Sequence, residues 1–207
     1  MKYKKFITFE GGEGSGKSTQ IKLLAKKIMQ IDSVCLTREP GGTKSAEDIR
    51  KLLVRGKIDK WSSVSELLLL FAARKDHIDK LILPSLKANK WVLCDRFVDS
   101  TYVYQGMCGK TSIELIKKIE TIIIGQFKPR LTFLINLDPK VGLERSKRPG
   151  NKDLRYENMD IKFHRKVHKS YLKLASLNKQ RIVLIDGSKS IIDIENQIWK
   201  KVKDKIL

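Results

Sequence analysis

Gly11-Gly12-Glu13-Gly14-Ser15-Gly16-Lys17-Ser18 has the spacing G-x-x-x-x-G-K-[ST], with Thr19 directly after it. Glycines here let the chain wrap so that successive N–H groups and a helix N-terminus point at phosphate oxygens. Lys17 supplies a cation able to follow the β- and γ-phosphates, and Ser18 a hydroxyl for Mg²⁺. Gly11, Gly12, Glu13, Gly14, Ser15, Gly16, Lys17, Ser18 and Thr19 are therefore expected to cradle a nucleoside triphosphate. Trp91-Val92-Leu93-Cys94-Asp95 is an apolar run ending in a carboxylate. Behind a phosphate loop, Asp95 is placed to hold the metal or to accept the proton of an incoming phosphate.

A second group of residues suggests a second substrate. Arg38-Glu39-Pro40-Gly41-Gly42-Thr43 puts an arginine before a Pro-Gly-Gly turn, and Arg96 follows Asp95 directly. Two converging guanidiniums suit a dianionic monophosphate, since each can grip two oxygens. Each could instead neutralise a neighbouring acid such as Glu39. Phe71 and Arg74 lie three residues apart, so on a helix they share a face. An aromatic ring beside a forked donor can stack a base and read its edge, but Leu67-Leu68-Leu69-Leu70-Phe71 also reads as plain core. Spacing alone leaves both open. Asp95 to Gly106 is polar and aromatic, unlike a simple connector.

The elements that must position these residues alternate. Short apolar runs predict strands at Phe6–Glu10, Val34–Arg38, Trp91–Asp95, Leu131–Leu137 and Ile182–Asp186. Helical patterns lie near 17–30, 45–55, 62–89, 111–125, 156–177 and 190–206. Ser45 with Asp48 three residues on resembles a capping box, and Gly56 is a natural stop. Strands alternating with helices predict an α/β fold, a parallel sheet covered on both faces, with ligands at the carboxyl ends of the strands.

Composition narrows the classes. A chain of 207 residues with 41% hydrophobic content fits one domain with a real core and excludes wholesale disorder. No run approaches the ~20 apolar residues of a membrane span, and Phe6-Ile7-Thr8-Phe9 is too short for a signal-peptide core. The three cysteines Cys35, Cys94 and Cys108 are far apart, which argues against a disulfide framework and for a reducing, cytoplasmic setting. No cysteine–histidine cluster suggests structural zinc. Lys+Arg 43 against Asp+Glu 23 gives a net charge of +20, a field that attracts polyanions. The lysines are scattered and no helix-turn-helix or RNA-binding motif is present, so a solvated basic surface is the expectation rather than a nucleic-acid site. His164 and His168 are four apart, but with no glutamate between them in metal-site order they are expected on a solvated face, and Trp199 is expected to pack.

The chain resembles the bacterial-type thymidylate kinases. The resemblance rests on Phe9-Glu10-Gly11-Gly12-Glu13-Gly14-Ser15-Gly16-Lys17-Ser18-Thr19, on Arg38 to Thr43, on Leu70-Phe71-Ala72-Ala73-Arg74 with His77, and on Asp95-Arg96-Phe97 through Ser100-Thr101 to Tyr104-Gln105-Gly106. These occur in the family's order and span essentially the whole chain. The resemblance implies a P-loop nucleoside-monophosphate kinase fold with a five-stranded parallel sheet in a single domain. It implies ATP- and Mg²⁺-dependent phosphorylation of dTMP to dTDP and a homodimer; with the composition and motifs above, no nucleic-acid or membrane partner is expected. Arg38 and Arg96 would hold the dTMP phosphate. Phe71 would stack on thymine and Arg74 bond its exocyclic oxygen. Ser100, Thr101 and Gln105 would line the base pocket, and Tyr104 would crowd the sugar's 2′ position. Glu13 would reach the acceptor sugar or the metal shell. Adenine would sit near Asp186-Gly187-Ser188-Lys189.

A basic segment, about 145–156, is broken by Pro149-Gly150-Asn151. No Arg or Lys precedes Lys17 within the phosphate loop, so the family's second cation is expected from this lid. Arg155 and then Arg148 are the candidates, with Arg145 and Lys147 behind them. The nearest rival readings are a kinase for dUMP or for a deoxynucleoside, and a nucleic-acid-dependent ATPase.

Overall fold

In a computed structural model, the structure describes residues 3–56, 59–146, 155–156 and 159–207. Five strands form one parallel sheet: β1 (Tyr3–Glu10), β2 (Val34–Arg38), β3 (Trp91–Asp95), β4 (Pro129–Asn136) and β5 (Ile182–Asp186). Their order across the sheet is β2-β3-β1-β4-β5. β1 is therefore central, flanked by β3 and β4, and its carboxyl end opens where the order reverses, the place where such sheets bind ligands.

Alternation along the strands divides the core. Ile7 and Phe9 of β1 and Leu93 of β3 face α1 (Lys17–Ile28) and α9 (Ile191–Lys205), where they meet Leu24, Ile28, Ile198 and Val202. The opposite face of β1, Phe6, and of β3, Val92 and Cys94, packs on α3 (Ser63–His77) and α6 (Ile113–Ile124). A third cluster sets α8 (Ile161–Leu177) against Leu134 and Ile182. Both faces are covered, as the apolar runs require. Trp199 is partly buried against the α1–α9 layer, as expected.

Several boundaries differ from the sequence expectation. α2 (Lys44–Val54) begins two residues before the capping-box candidate at 45–48 would place it: Thr43 is the cap and accepts from Ala46 N at 3.2 Å. The single helix expected at 62–89 is α3, a π-helical turn at Ile78–Ile82 and a short α4 (Leu83–Lys87). Pro84, at the second position of α4, lacks the N–H an unbroken helix would use. Two helical stretches fall outside the patterns the sequence predicts. α5 (Val98–Thr101) runs into a π-helical turn at Tyr102–Met107, and α7 (Pro139–Ser146) follows β4. Both are short and lack an apolar 3.6-residue period. His164 is not on a solvated face: it is 4% exposed on α8, and His168 Nε2 lies 2.6 Å from Asn136 Oδ1.

Candidate active site

The loop between β1 and α1 lies on the central carboxyl end. Gly14 shows why glycine is needed: its φ is +62°, and a Cβ there would stand 1.9 Å from the carbonyl oxygen of Gly142 on α7. A Cβ on Gly142 would in turn stand 2.3 Å from Glu13 O. The phosphate loop and α7 thus touch backbone to backbone. Lys17 is buried and donates to the carbonyls of Gly11, at 3.1 Å, and Gly12, at 2.9 Å. Burial and then the nearby Arg96 lower the pKa of its ammonium. Ser18 Oγ donates to Asp95 Oδ2 at 2.9 Å, so the two expected metal-site oxygens are neighbours.

Two cavities meet here. A cleft of about 1140 Å³ runs along Gly14 to Thr19, Asp95 and Arg145 and reaches Gly187 and Lys189 after β5. A smaller cavity of about 230 Å³ is lined by Leu70, Arg74, Ser100, Thr101, Tyr104 and Gln105, among others. Glu13, Glu39, Arg50 and Arg96 line both, so they stand at the junction.

Arg96 is the centre of that junction. Its NH2 donates to Glu13 Oε1 at 2.7 Å and its NH1 to Tyr171 Oη at 3.0 Å, and its guanidinium carbon lies 5.2 Å from the Tyr104 ring centre. Burial alone would raise the Glu13 carboxyl, but Arg96 and Lys17 together hold it below the ordinary carboxylate value. Tyr104 Oη also donates to Glu13 Oε1, at 3.3 Å. Behind Arg96, Glu10 accepts from Phe97 N at 2.8 Å, Ser100 Oγ at 2.6 Å and Tyr171 Oη at 2.9 Å. Burial and the neighbouring Asp99 push the Glu10 carboxyl up to about 7, against the pull of Arg96. Glu10 stands in the motif quoted above but without a role, while Arg50, Glu66, Tyr156 and Tyr171 carry no motif to mark them. Arg50 sits two residues beyond the acidic pair Glu47-Asp48 of α2, where nothing but the fold turns it inward.

Not every expected residue lies where the sequence put it. Arg38 lines the larger cleft alone and pairs with Glu47 at 2.9 Å, on a half-exposed side chain. It is Arg50, donating to Pro40 O at 2.9 Å, that joins Arg96 at the junction. Phe71 is buried in the core beneath the cavity, 1% exposed, and does not line it. Leu70, one residue earlier, does, because a 100° step on the helix separates the two directions. Phe71 instead supports Arg74, whose guanidinium carbon lies 4.9 Å from its ring centre. Arg155 does not reach the phosphate loop. It is buried, paired with Glu66 Oε2 at 2.6 Å and donating to Leu53 O at 3.1 Å. Tyr156 and Gln105 Nε2 donate to the other oxygen of Glu66, at 2.6 and 2.8 Å. Arg145 is the described cation from the lid's flank that lines the phosphate cleft, while Arg148 lies outside the described residues.

Among the described residues, no helix is long and apolar enough to cross a membrane. The thymidylate kinase family model matches residues 9–198. A thymidylate kinase of Bradyrhizobium sp. (strain ORS 278) is 42% identical over 205 residues, covering 98% of this chain and 91% of that one. That of Caulobacter vibrioides is 46% identical over 183 residues, 88% of each chain. Among solved structures, the thymidylate kinase of Ehrlichia chaffeensis superposes with a TM-score of 0.78 at 35% identity, over 95% of this chain and 97% of that one. With a phosphate loop, a basic junction and a base-sized cavity arranged in this order on a 2-3-1-4-5 sheet, the chain belongs to the thymidylate kinase family.

Proposed function

We propose that this chain transfers the γ-phosphoryl group of ATP to the phosphate of dTMP, giving ADP and dTDP. The observation that carries this reading is the junction: Glu13, Arg50 and Arg96 border both the phosphate-loop cleft and the base-sized cavity. A donor phosphate in the first and an acceptor phosphate in the second would meet there.

ATP binds with its phosphates on the amides of Gly14 to Thr19 and its adenine toward Gly187 and Lys189. Lys17 leaves the loop carbonyls to follow the β- and γ-phosphates. dTMP enters the smaller cavity with its phosphate on Arg96 and Arg50 and its base over Leu70, against Arg74, Thr101 and Gln105. Tyr104 closes the sugar side. Glu13 orients Arg96 through the 2.7 Å ion pair, so the guanidinium meets the acceptor oxygen already aligned. Arg145 lines the cleft from α7 and is the described side chain placed to neutralise charge on the transferring group. The acceptor oxygen attacks phosphorus in line, and positioning with electrostatics carries the reaction.

The neighbouring Ser18 hydroxyl and Asp95 carboxylate are hard oxygen donors and fit a magnesium ion arriving with the nucleotide. Bound there, it would neutralise charge across the β- and γ-phosphates. The expected homodimer is supported by apolar Val64 and Leu68, about half exposed on α3. Sedimentation of the purified chain tests it.

An ADP-release assay with Mg·ATP against dTMP, dUMP, thymidine, AMP and single-stranded DNA tests the reaction. Turnover mainly with dTMP supports it. Turnover with thymidine but not dTMP, or only with DNA, overturns the acceptor assignment while leaving the nucleotide cleft.

A further inference from the structure

Arg74 is aimed by two residues behind it, Glu39 at the rim of the junction and His77, which lines neither cavity. All three side chains are buried, at 3%, 4% and 0% exposure for Arg74, Glu39 and His77. Arg74 Nε donates to Glu39 Oε2 at 2.7 Å, and His77 Nδ1 lies 3.1 Å from the other oxygen, Oε1. An ionised carboxylate only accepts, so Nδ1 carries the hydrogen. In the neutral ring Nε2 is then the acceptor for the Thr37 hydroxyl, 2.7 Å away. The order runs Thr37, His77, Glu39, Arg74, each group donating to the next or gripping it.

The remaining sides of the guanidinium are also fixed. NH2 donates to Thr101 Oγ1 at 3.0 Å, and the rings of Phe71 and Phe97 lie 4.9 and 5.4 Å from the guanidinium carbon. NH1 alone has no hydrogen-bond partner among the described residues, although it is buried on a side chain that lines the acceptor cavity. A buried donor without an acceptor is costly, and a substrate carbonyl oxygen would relieve it. An amino group in that place would set donor against donor.

His77 is also seated from outside. Gly42, with φ +92°, lies so close that a Cβ on it would stand 2.4 Å from His77 Nε2. The turn carrying Glu39 therefore rests on the same imidazole that holds the Glu39 carboxylate.

We propose that His77 is a positioning residue of the acceptor site: by holding Glu39, it fixes Arg74 so that NH1 selects a pyrimidine presenting a carbonyl rather than an amino group. The proposal rests on dTMP being the acceptor. It assigns oxo-over-amino discrimination, dTMP against dCMP, to a residue that touches neither base.

Three variants of the full chain test this. His77→Leu removes the donor to Glu39 at similar volume. His77→Asn keeps a donor near the Nδ1 position and loses the Thr37 contact, and His77→Gln does the reverse. Losing a hydrogen bond to a charged group corresponds to about tenfold or more. His77→Leu and His77→Gln should therefore raise the KM for dTMP about tenfold, with the KM for ATP unchanged. They should also lower the dTMP/dCMP ratio of kcat/KM by a similar factor. His77→Asn should stay within about threefold of the parent in both. Equal impairment of His77→Asn and His77→Leu overturns the proposal, as does an unchanged dTMP/dCMP ratio in His77→Leu. If His77→Leu does not fold, Gly42→Ala presses on the ring without deleting it. Lost selectivity there supports the proposal, and unchanged selectivity refutes it. Absence of dTMP turnover in the parent enzyme would instead overturn the reading beneath it, and is seen before any variant is made.

Discussion

Arg96 stands in the left-handed backbone region, φ 66°, which a non-glycine residue adopts at a cost of roughly 1–3 kcal/mol. The surroundings hold it there: its N–H donates to Phe9 O at 2.9 Å, and Glu13, Ser100 and Tyr171 engage its side chain. That geometry turns the guanidinium back over the junction instead of along β3. Arg96→Ala is expected to lower kcat/KM for dTMP about 100-fold while leaving the KM for ATP within about twofold. Arg96→Lys should recover little, because the ammonium lacks the fork that grips Glu13 and phosphate together. An Arg96→Lys enzyme with parental dTMP kinetics would show that charge alone suffices. Leu70 and Phe71 separate by readout. Phe71→Ala removes a ring from the core and should cost ~3–5 kcal/mol of stability, measured by denaturant melts. Leu70→Ala should melt nearly as the parent does and raise the KM for dTMP several-fold. The reverse pattern would return the stacking role to Phe71.

At the scale of elements, the contact between the phosphate loop and α7 decides how the donor cleft keeps its shape. Gly142 is helical, where alanine is intrinsically better by about 0.5–1 kcal/mol, yet its Cβ would meet Glu13 O at 2.3 Å. The two effects act on different observables. Gly142→Ala should melt close to the parent but lose about tenfold in kcat, as α7 is pushed from the loop and carries Arg145 with it. Unchanged kcat would mean that the loop yields freely. The partly buried Glu66 carboxylate ties residues 155–156 to α3 through Arg155, Tyr156 and Gln105. Arg155→Ala should therefore raise the KM for dTMP and spare kcat at saturation, whereas a group acting on the transferring phosphoryl would lower kcat. These cases also show what the sequence carried. The five strands and the phosphate loop were legible because apolar runs and fixed glycine spacings are local properties. The direction of Phe71 against Leu70 was not, since both are apolar on one helix and only the packed sheet tells which faces the cavity. Nor was the pairing of Arg155 with Glu66, 89 positions away in the chain, which depends on where α3 lies.

Across the whole molecule the net charge is +20, yet the interior contains a column of paired charge. Arg181, just before β5, grips Asp99 through two bonds of 2.6 and 2.8 Å and donates to Thr132 at 2.7 Å; Thr132 meets Thr8 of β1 at 2.7 Å. Asp99 then raises Glu10, which holds the loop bearing Arg96, so a contact that starts at the β5 edge of the sheet reaches the acceptor site. This arrangement makes stability depend on pH in a definite direction. The Glu10 carboxyl is pushed from the ordinary value of 4.5 up to about 7, by burial first and Asp99 second. Between those two values the folded chain binds more protons than the unfolded one, so stability must fall as pH rises, by up to about 1.4 kcal/mol per pH unit. Below the window Glu10 is neutral in both states, and above it charged in both, so the slope vanishes at either end. Glu10→Gln removes that dependence, because the amide stays neutral and the Ser100 and Tyr171 hydroxyls can turn to accept from it. Denaturant melts of Glu10→Gln and the parent should thus diverge steadily from about pH 5 to pH 7.5 in favour of the variant, and then run parallel. Curves already parallel across that window would mean that Glu10 is ionised throughout it, and that Arg96 outweighs burial and Asp99 together.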